Sequence, residues 1–510
     1  MHSQGLAPEA PPRRQAFATA TAVVALIAVA TLLRLALATA GLGEDETYMV
    51  SMARHFSWSY FDHPPLHVWL VGGWARLLGS EDPWVVRLPF IALFVGSSWL
   101  MYRLTAALFG ERAGFWATLA FNLAPLFTLS TGSWVLPDGP LVFFLLAAGR
   151  ALADLLIATE SPTRPVLRWL GVGLLAGLAL LSKYTAIFFI AGAFVFLVSD
   201  ARSRHWFKTP GPWLGLLAAV AVFLPVVYWN MTHRWISFAF QAGRGAPAEF
   251  NLNWLLQYLG GEILYLLPWI LVPLIVAWLG ALRRGPKDRA SWLLACLASG
   301  PIVIFTLAAF WSHVLPHWPL AGWLFVFPLL GVRMVGLSQR HPRLVWHSSL
   351  AAVLVLVGGL TVVASQAATG WITRLEPGLA GRRDPTISLV DWRELRAELA
   401  NRGDLKDVGF LAGLNWIHAA RLDYALGRDI PVLCLCAEPH HFAIEHDPRL
   451  FEGRDGLVIG TTGSLYDPLG FLAGRFQRVE LLAPVSLTRA GQPVIEIWIV
   501  RGFGFKSATP

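Results

Sequence analysis

Apolar residues in this chain gather in blocks of about 20, the length an α-helix needs to cross a hydrocarbon core ~30 Å thick. No other feature limits the fold as strongly. The blocks lie at about 16–40, 88–109, 113–130, 139–157, 168–182, 184–199, 212–229, 259–281, 291–310, 318–336 and 346–367. They predict a polytopic α-helical membrane protein with about 11 transmembrane helices. Only 14% of the residues are charged, against roughly 25% in soluble domains. The first block follows Arg13-Arg14 and is longer than the 7–15 residues of a typical signal-peptide core, so it reads as an uncleaved span. The fifth and sixth blocks are short and meet at Ser182-Lys183-Tyr184.

The basic residues test this count, because cytoplasmic loops are enriched in Lys and Arg. Alternation from a cytoplasmic N-terminus puts fourteen inside: Arg13, Arg14, Arg112, Arg164, Arg168, Arg202, Arg204, Lys208, Arg283, Arg284, Lys287, Arg289, Arg340 and Arg343. The outer loops between spans hold six: Arg54, Arg76, Arg87, Lys183, Arg234 and Arg244. Merging the fifth and sixth blocks would turn every later basic loop outward, so eleven spans are preferred. The net charge of +8 then follows from topology, and no nucleic acid is expected as a partner.

Two domains are expected. Residues 1–367 form the transmembrane domain, with a long first outer loop at 41–87. In that loop Met49, Met52, Ala53 and Phe56 recur at helical spacing, and after Pro64-Pro65 so do Leu66, Trp69, Leu70, Trp74 and Leu77. Both segments read as amphipathic helices lying in the membrane interface. Residues 368–510 change composition and predict a small extracytoplasmic α/β domain. It has a helix near Asp391 to Asn401 and strands at Val408 to Leu411, Pro431 to Leu435, Gly456 to Gly460 and Val494 to Val500. Cys434 and Cys436, one residue apart, are expected to stay unpaired, as is Cys296.

Candidate chemistry collects on the outer side. Asp45 and Glu46 stand next to the first span, where a carboxylate is costly unless water, a cation or a substrate meets it. A solvated loop or helix cap would also account for them. Asp138 opens the fourth span in Leu-Pro-Asp-Gly-Pro, where an N-cap is the alternative. Lys183 sits at an outer turn, either snorkelling or presenting an ammonium to phosphate. Asp62 and His63 form a turn before Pro64-Pro65 and offer two ligands for a divalent metal. His313 and His317 lie in an aromatic outer loop, and His233 and Arg234 in another. In the tail, His440, His441 and His446 read as plain loop histidines. There is no P-loop, no GxGxxG and no zinc cassette, so a substrate that arrives in the membrane fits better than a soluble nucleotide.

Several motifs, in order, resemble the bacterial branch of glycosyltransferase family 39. They are Asp45-Glu46-Thr47-Tyr48, Tyr60-Phe61-Asp62-His63-Pro64-Pro65-Leu66, Arg87-Leu88-Pro89, Leu136-Pro137-Asp138-Gly139-Pro140-Leu141 and Ser182-Lys183-Tyr184. Trp229-Asn230 to Gln241, Tyr258-Leu259-Gly260-Gly261 and Pro316-His317-Trp318-Pro319 continue the match, which covers about residues 16–340. This branch is related to protein O-mannosyltransferases and to the aminoarabinose transferase of lipid A.

The resemblance implies a GT-C fold, an active site on the outer face, a polyprenyl-phosphate sugar donor and inversion at the anomeric carbon. It implies that Asp45 is the general base, with Glu46 beside it, and that Asp138 is a second acid. It places Lys183, His63, Arg234 and His317 at the donor phosphate, with His63 standing where aminoarabinose enzymes have lysine. The acceptor is a glycan, lipid or protein, membrane lipids are partners, and a divalent metal is a candidate cofactor. The expected location is the bacterial inner membrane with the site facing the periplasm. A transporter or lipid-sugar flippase using the same carboxylates is the alternative.

Overall fold

The computed structural model describes residues 13–158, 163–244, 249–379, 384–427, 429–461 and 467–507. In chain order, α1 (Arg13–Leu37) is followed by α2 (Glu44–Met52), α3 (Leu66–Leu78), α4 (Pro83–Phe109), α5 (Glu111–Leu123), α6 (Asp138–Leu156) and α7 (Pro165–Ser182). Then come α8 (Ile187–Ser199), α9 (Pro210–Thr232), α10 (Ile236–Arg244), α11 (Leu252–Leu266), α12 (Pro268–Arg284), α13 (Arg289–Ala308), α14 (Leu320–Arg340) and α15 (Pro342–Thr369). The chain is a multi-pass membrane protein. Among the described residues, eight helices are long and apolar enough to cross a bilayer.

The expected spans map onto these helices unevenly. The 259–281 block is broken at Leu267, which adopts a φ of 64°, and the two halves are bent by 104°. The 184–199 block is a short apolar helix, and 113–130 yields the 13-residue α5 followed by a π-helical turn at Phe127–Thr131. Proline explains part of this. Pro268 cannot donate a backbone hydrogen bond, so it restarts a helix after the break.

By internal packing the chain forms two units. The first gathers residues up to Ala36, His63–His67 and Leu88–Gly358. Its helices pack through small residues where backbones approach closely. A Cβ on Gly173 of α7 would lie 1.9 Å from the Gly215 carbonyl of α9. Small residues at such crossings provide helix association where lipid gives little hydrophobic drive.

The second unit gathers Leu37–Asp62, Val68–Arg87 and Gly359 onward. After α16 (Trp371–Leu375) and α17 (Glu394–Arg402) it builds a five-stranded sheet of order β2-β1-β3-β5-β4. The strands are β1 (Phe410–Gly413), β2 (Val432–Cys434), β3 (Gly456–Thr461), β4 (Phe476–Arg489) and β5 (Gln492–Phe505). Helix α18 (Trp416–Leu426) crosses between the parallel β1 and β2, and α19 (Phe442–Glu445) and α20 (Pro468–Ala473) complete the unit. Strands β4 and β5 form a long antiparallel hairpin. Ala490 and Gly491, both at positive φ, close it with the backbone twist that two-residue hairpins favour. Phe410, Val458, Phe476, Trp498 and Phe505 fill the core beneath. Cys434 and Cys436 are joined as a disulfide, which corrects the expectation that neither would pair. The two thiols leave the edge strand β2 together, close enough to meet across a single intervening residue.

Candidate active site

In the membrane unit, Asp138 is the first residue of α6 and does not cap it, since no side-chain cap is made there. Its buried carboxylate instead accepts a hydrogen bond from Lys183 Nζ at 2.8 Å. Lys183 is placed for this by the end of α7, where its backbone turns extended. Tyr184 follows and shares a 2.6 Å hydrogen bond with Ser237 of α10.

Three imidazoles stand by this pair. The His63 and His67 rings lie 5.8 Å apart, edge to face. Burial holds His63 well below the usual histidine range, and His67, Lys183, Arg244 and His317 push it further the same way. Burial drives His67 down to about 3, with Asp138 opposing and Lys183 reinforcing the shift. His317 is brought to about 4 by burial, then by Lys183, again opposed by Asp138. All three are therefore neutral at physiological pH. Arg244, at the end of α10, acts on His63 and His317 and stacks over Trp318 at 5.1 Å. The arrangement offers a cation pair and neutral donors or acceptors around one carboxylate, which suits an anion such as phosphate.

This cluster adds two residues to those expected, His67 and Arg244. Arg234 is exposed, in a turn with positive φ after the end of α9, and His233 beside it stacks on Trp229. The arginine that acts on these imidazoles is Arg244, ten residues later. His67 was not foreseen because it hides in an apolar helical pattern. Its signal was its spacing, one helical turn after His63.

In the second unit, α2 opens with Glu44, Asp45 and Glu46 in its first turn. Asp45 is exposed. Glu46 is buried and fully engaged: Arg87 Nε and Nη2 donate to its two oxygens at 2.8 and 2.5 Å, and the Gly43 N–H donates to it at 3.0 Å. Arg87 spends its other donors on the carbonyls of Ala38, Ala40 and Gly41. Glu46, expected as a catalytic neighbour of Asp45, is thus a cap and ion-pair residue holding the loop to its helix.

Asp62 is also committed. Tyr48 donates its hydroxyl to one oxygen, and His440 Nδ1 meets the other at 2.6 Å. The His441 N–H in turn donates to the Tyr48 hydroxyl at 3.0 Å. Burial and then Asp62 raise the Tyr48 hydroxyl well above its ordinary range. Two of the three tail histidines expected as plain loop residues, His440 and His441, are therefore part of this network, and His446 packs edge-on to Phe451 instead. Asp62 is engaged by Tyr48 and His440, and among the described residues no group of three or more His, Cys, Asp or Glu is placed to hold a metal ion.

The comparisons with known proteins agree with this architecture. The family described as dolichyl-phosphate-mannose-protein mannosyltransferase matches residues 62–229. ArnT from Cupriavidus metallidurans, solved bound to undecaprenyl phosphate, superposes with a TM-score of 0.64 over 94% of this chain and 97% of that one, at 15% identity. The chain shares the GT-C fold of that structure. The lipid A galacturonosyltransferase RgtD of Rhizobium johnstonii is 22% identical over 298 residues, 54% of this chain. That match spans 58% of RgtD's own length. The family match begins at Asp62 and takes in Asp138 and Lys183, so the motifs that carry the GT-C resemblance also carry the buried pair.

Proposed function

We propose that this chain is an inverting glycosyltransferase that moves a sugar from a polyprenyl-phosphate donor to an envelope glycan, lipid or protein. The reading places the reaction at the periplasmic face of the bacterial inner membrane. The observation that carries it is the buried Asp138–Lys183 pair with His63, His67, His317 and Arg244 around it. ArnT, the same fold over nearly its full length, was solved with undecaprenyl phosphate, and a phosphate monoester or diester is the anion this cluster suits.

The chemistry is a single displacement. The acceptor hydroxyl attacks C1 of the sugar and gives its proton to Asp45, the exposed carboxylate of the acidic turn. The C1–O bond to phosphate breaks, and polyprenyl phosphate leaves with the electron pair. Lys183 and Arg244 meet the charge that develops on it. His63, His67 and His317, neutral beforehand, can donate to phosphate oxygens without adding charge of their own. Asp138 fixes the Lys183 ammonium.

The test uses purified protein, radiolabelled polyprenyl-phosphate sugars and candidate acceptors. Transfer is expected for wild type and lost at least 10³-fold in Asp45→Asn, with donor binding retained, as for removal of a general base and its positioning. Wild-type turnover in that variant would remove Asp45 as base. Movement of label across vesicles without transfer would favour a flippase.

A further inference from the structure

Helix α18 carries Arg421, which is 5% exposed. Its Nη2 lies 3.3 Å from Glu44 Oε1 and donates to the Ser388 carbonyl at 2.8 Å. The guanidinium rests over Trp392 at 5.4 Å, and its Nε has no hydrogen-bond partner. Arginine is rarely buried so fully unless a charge or ligand requires it. Two turns further along α2, Ser51 hydrogen-bonds Asp423 of α18, and Arg54 pairs with the same carboxylate at 3.1 Å. The two helices are therefore held together at both ends of α2.

The acidic turn explains why this matters. Three consecutive carboxylates repel one another, and the helix N-terminus offsets only part of that. Arg87 neutralises Glu46, and Arg421 faces Glu44. The charged and titratable groups against the turn include Glu44, Glu46 and Tyr48 of α2, Arg87, Arg421 and Tyr424 of α18, and Asp391, with Asp423 and Arg54 at the far end of α2. We propose that Arg421 is a positioning residue for Asp45: the C-terminal domain supplies the cation that fixes the catalytic turn and keeps its base ionised. The proposal rests on the reading of Asp45 as general base. It gives the tail a role in catalysis itself, separate from acceptor choice.

The full-length enzyme carries the test, with the sugar donor that wild type turns over. The pH dependence of kcat/KM is measured for Arg421→Met, Arg421→Lys, Glu44→Gln and Arg421→Met with Glu44→Gln. Asp45 acts in its ionised form, so the rate rises with pH through its pKa. Losing the Arg421 charge is expected to move that acidic limb up by about 0.5 pH unit, the size of one partly screened charge nearby. Arg421→Lys should hold the limb near wild type. Glu44→Gln should move it down by a similar amount, and the double variant should return it to the wild-type position. An Arg421→Met limb that coincides with wild type, at whatever rate, would overturn the proposal. If Arg421→Met does not fold, the double variant decides against Glu44→Gln alone. Limbs that coincide between those two would show that the Arg421 charge does not reach Asp45. Loss of the base reading would show separately, as turnover in Asp45→Asn.

Discussion

Two buried carboxylate–cation pairs, one in each unit, look alike in a residue inventory and differ in what they leave over. Glu46 and Arg87 are each about 4% exposed or less, and every strong donor of the guanidinium has a partner within its own loop. Asp138 and Lys183 share one contact, and the ammonium keeps two further protons beside neutral imidazoles. The first pair is closed and holds structure. The second leaves part of its ammonium uncommitted. Burial and charge together do not separate the two roles. The count of satisfied donors does.

The sharpest break of this comparison is to remove the cation from each pair. Arg87→Met leaves Glu46 buried without its partner and is expected to cost about 3–5 kcal/mol, enough to lower yield and thermal stability severely. Lys183→Met should cost less than half as much stability, because an imidazole beside Asp138 can take up a proton and restore neutrality. It should lose about 10²-fold in kcat/KM, the scale of one charge-stabilising group. Thermal unfolding in detergent and transfer kinetics on the two variants check both halves. Equal stability losses would erase the distinction.

The same distinction explains what was legible in the sequence. Apolar blocks and basic loops gave the membrane class, and Asp45, Asp138, Lys183, His63 and His317 stood out because polar groups beside spans are expensive. The fates of Glu46 and Asp62 were not readable, since their partners Arg87 and His440 lie 41 and 378 residues away. Helix α18 was missed for a related reason. Its His418, Arg421 and Asp423 are buried, so a polar-out pattern never forms. Strand β4 was missed because it is largely exposed and carries Arg478, Glu480 and Pro484. The break at Leu267 needed a positive φ that no leucine announces.

The open cluster should also declare itself in acid. His67 is fully buried with its pKa brought to about 3, against about 6.5 in an unfolded chain. The unfolded chain therefore binds a proton that the folded one refuses, and stability falls as pH drops below about 6.5 toward the folded value. By pH 5 this amounts to up to about 2 kcal/mol for His67 alone. Thermal unfolding between pH 7.5 and 5 should show the decline, and His67→Gln should flatten it. An unchanged slope in that variant would mean that the imidazole is not held neutral by burial.

The smallest expected effect separates two arginines that the sequence placed together on the outer side. Both are exposed, but Arg244 acts on His63 and His317 and stacks on Trp318, whereas Arg234 lies beyond the end of α9 and acts on neither imidazole. Arg244→Ala should weaken binding of undecaprenyl phosphate about tenfold, as for one charge-assisted contact to a phosphate. Arg234→Ala should stay within about twofold, since Arg234 is an exposed charge that acts on none of the imidazoles of the cluster. Raising salt should narrow the gap, because Arg244 is itself exposed and its contact is screened. If the Arg234 variant loses more than the Arg244 variant, the phosphate lies toward the α9 turn instead, and Lys183 would have to bind it without help from α10.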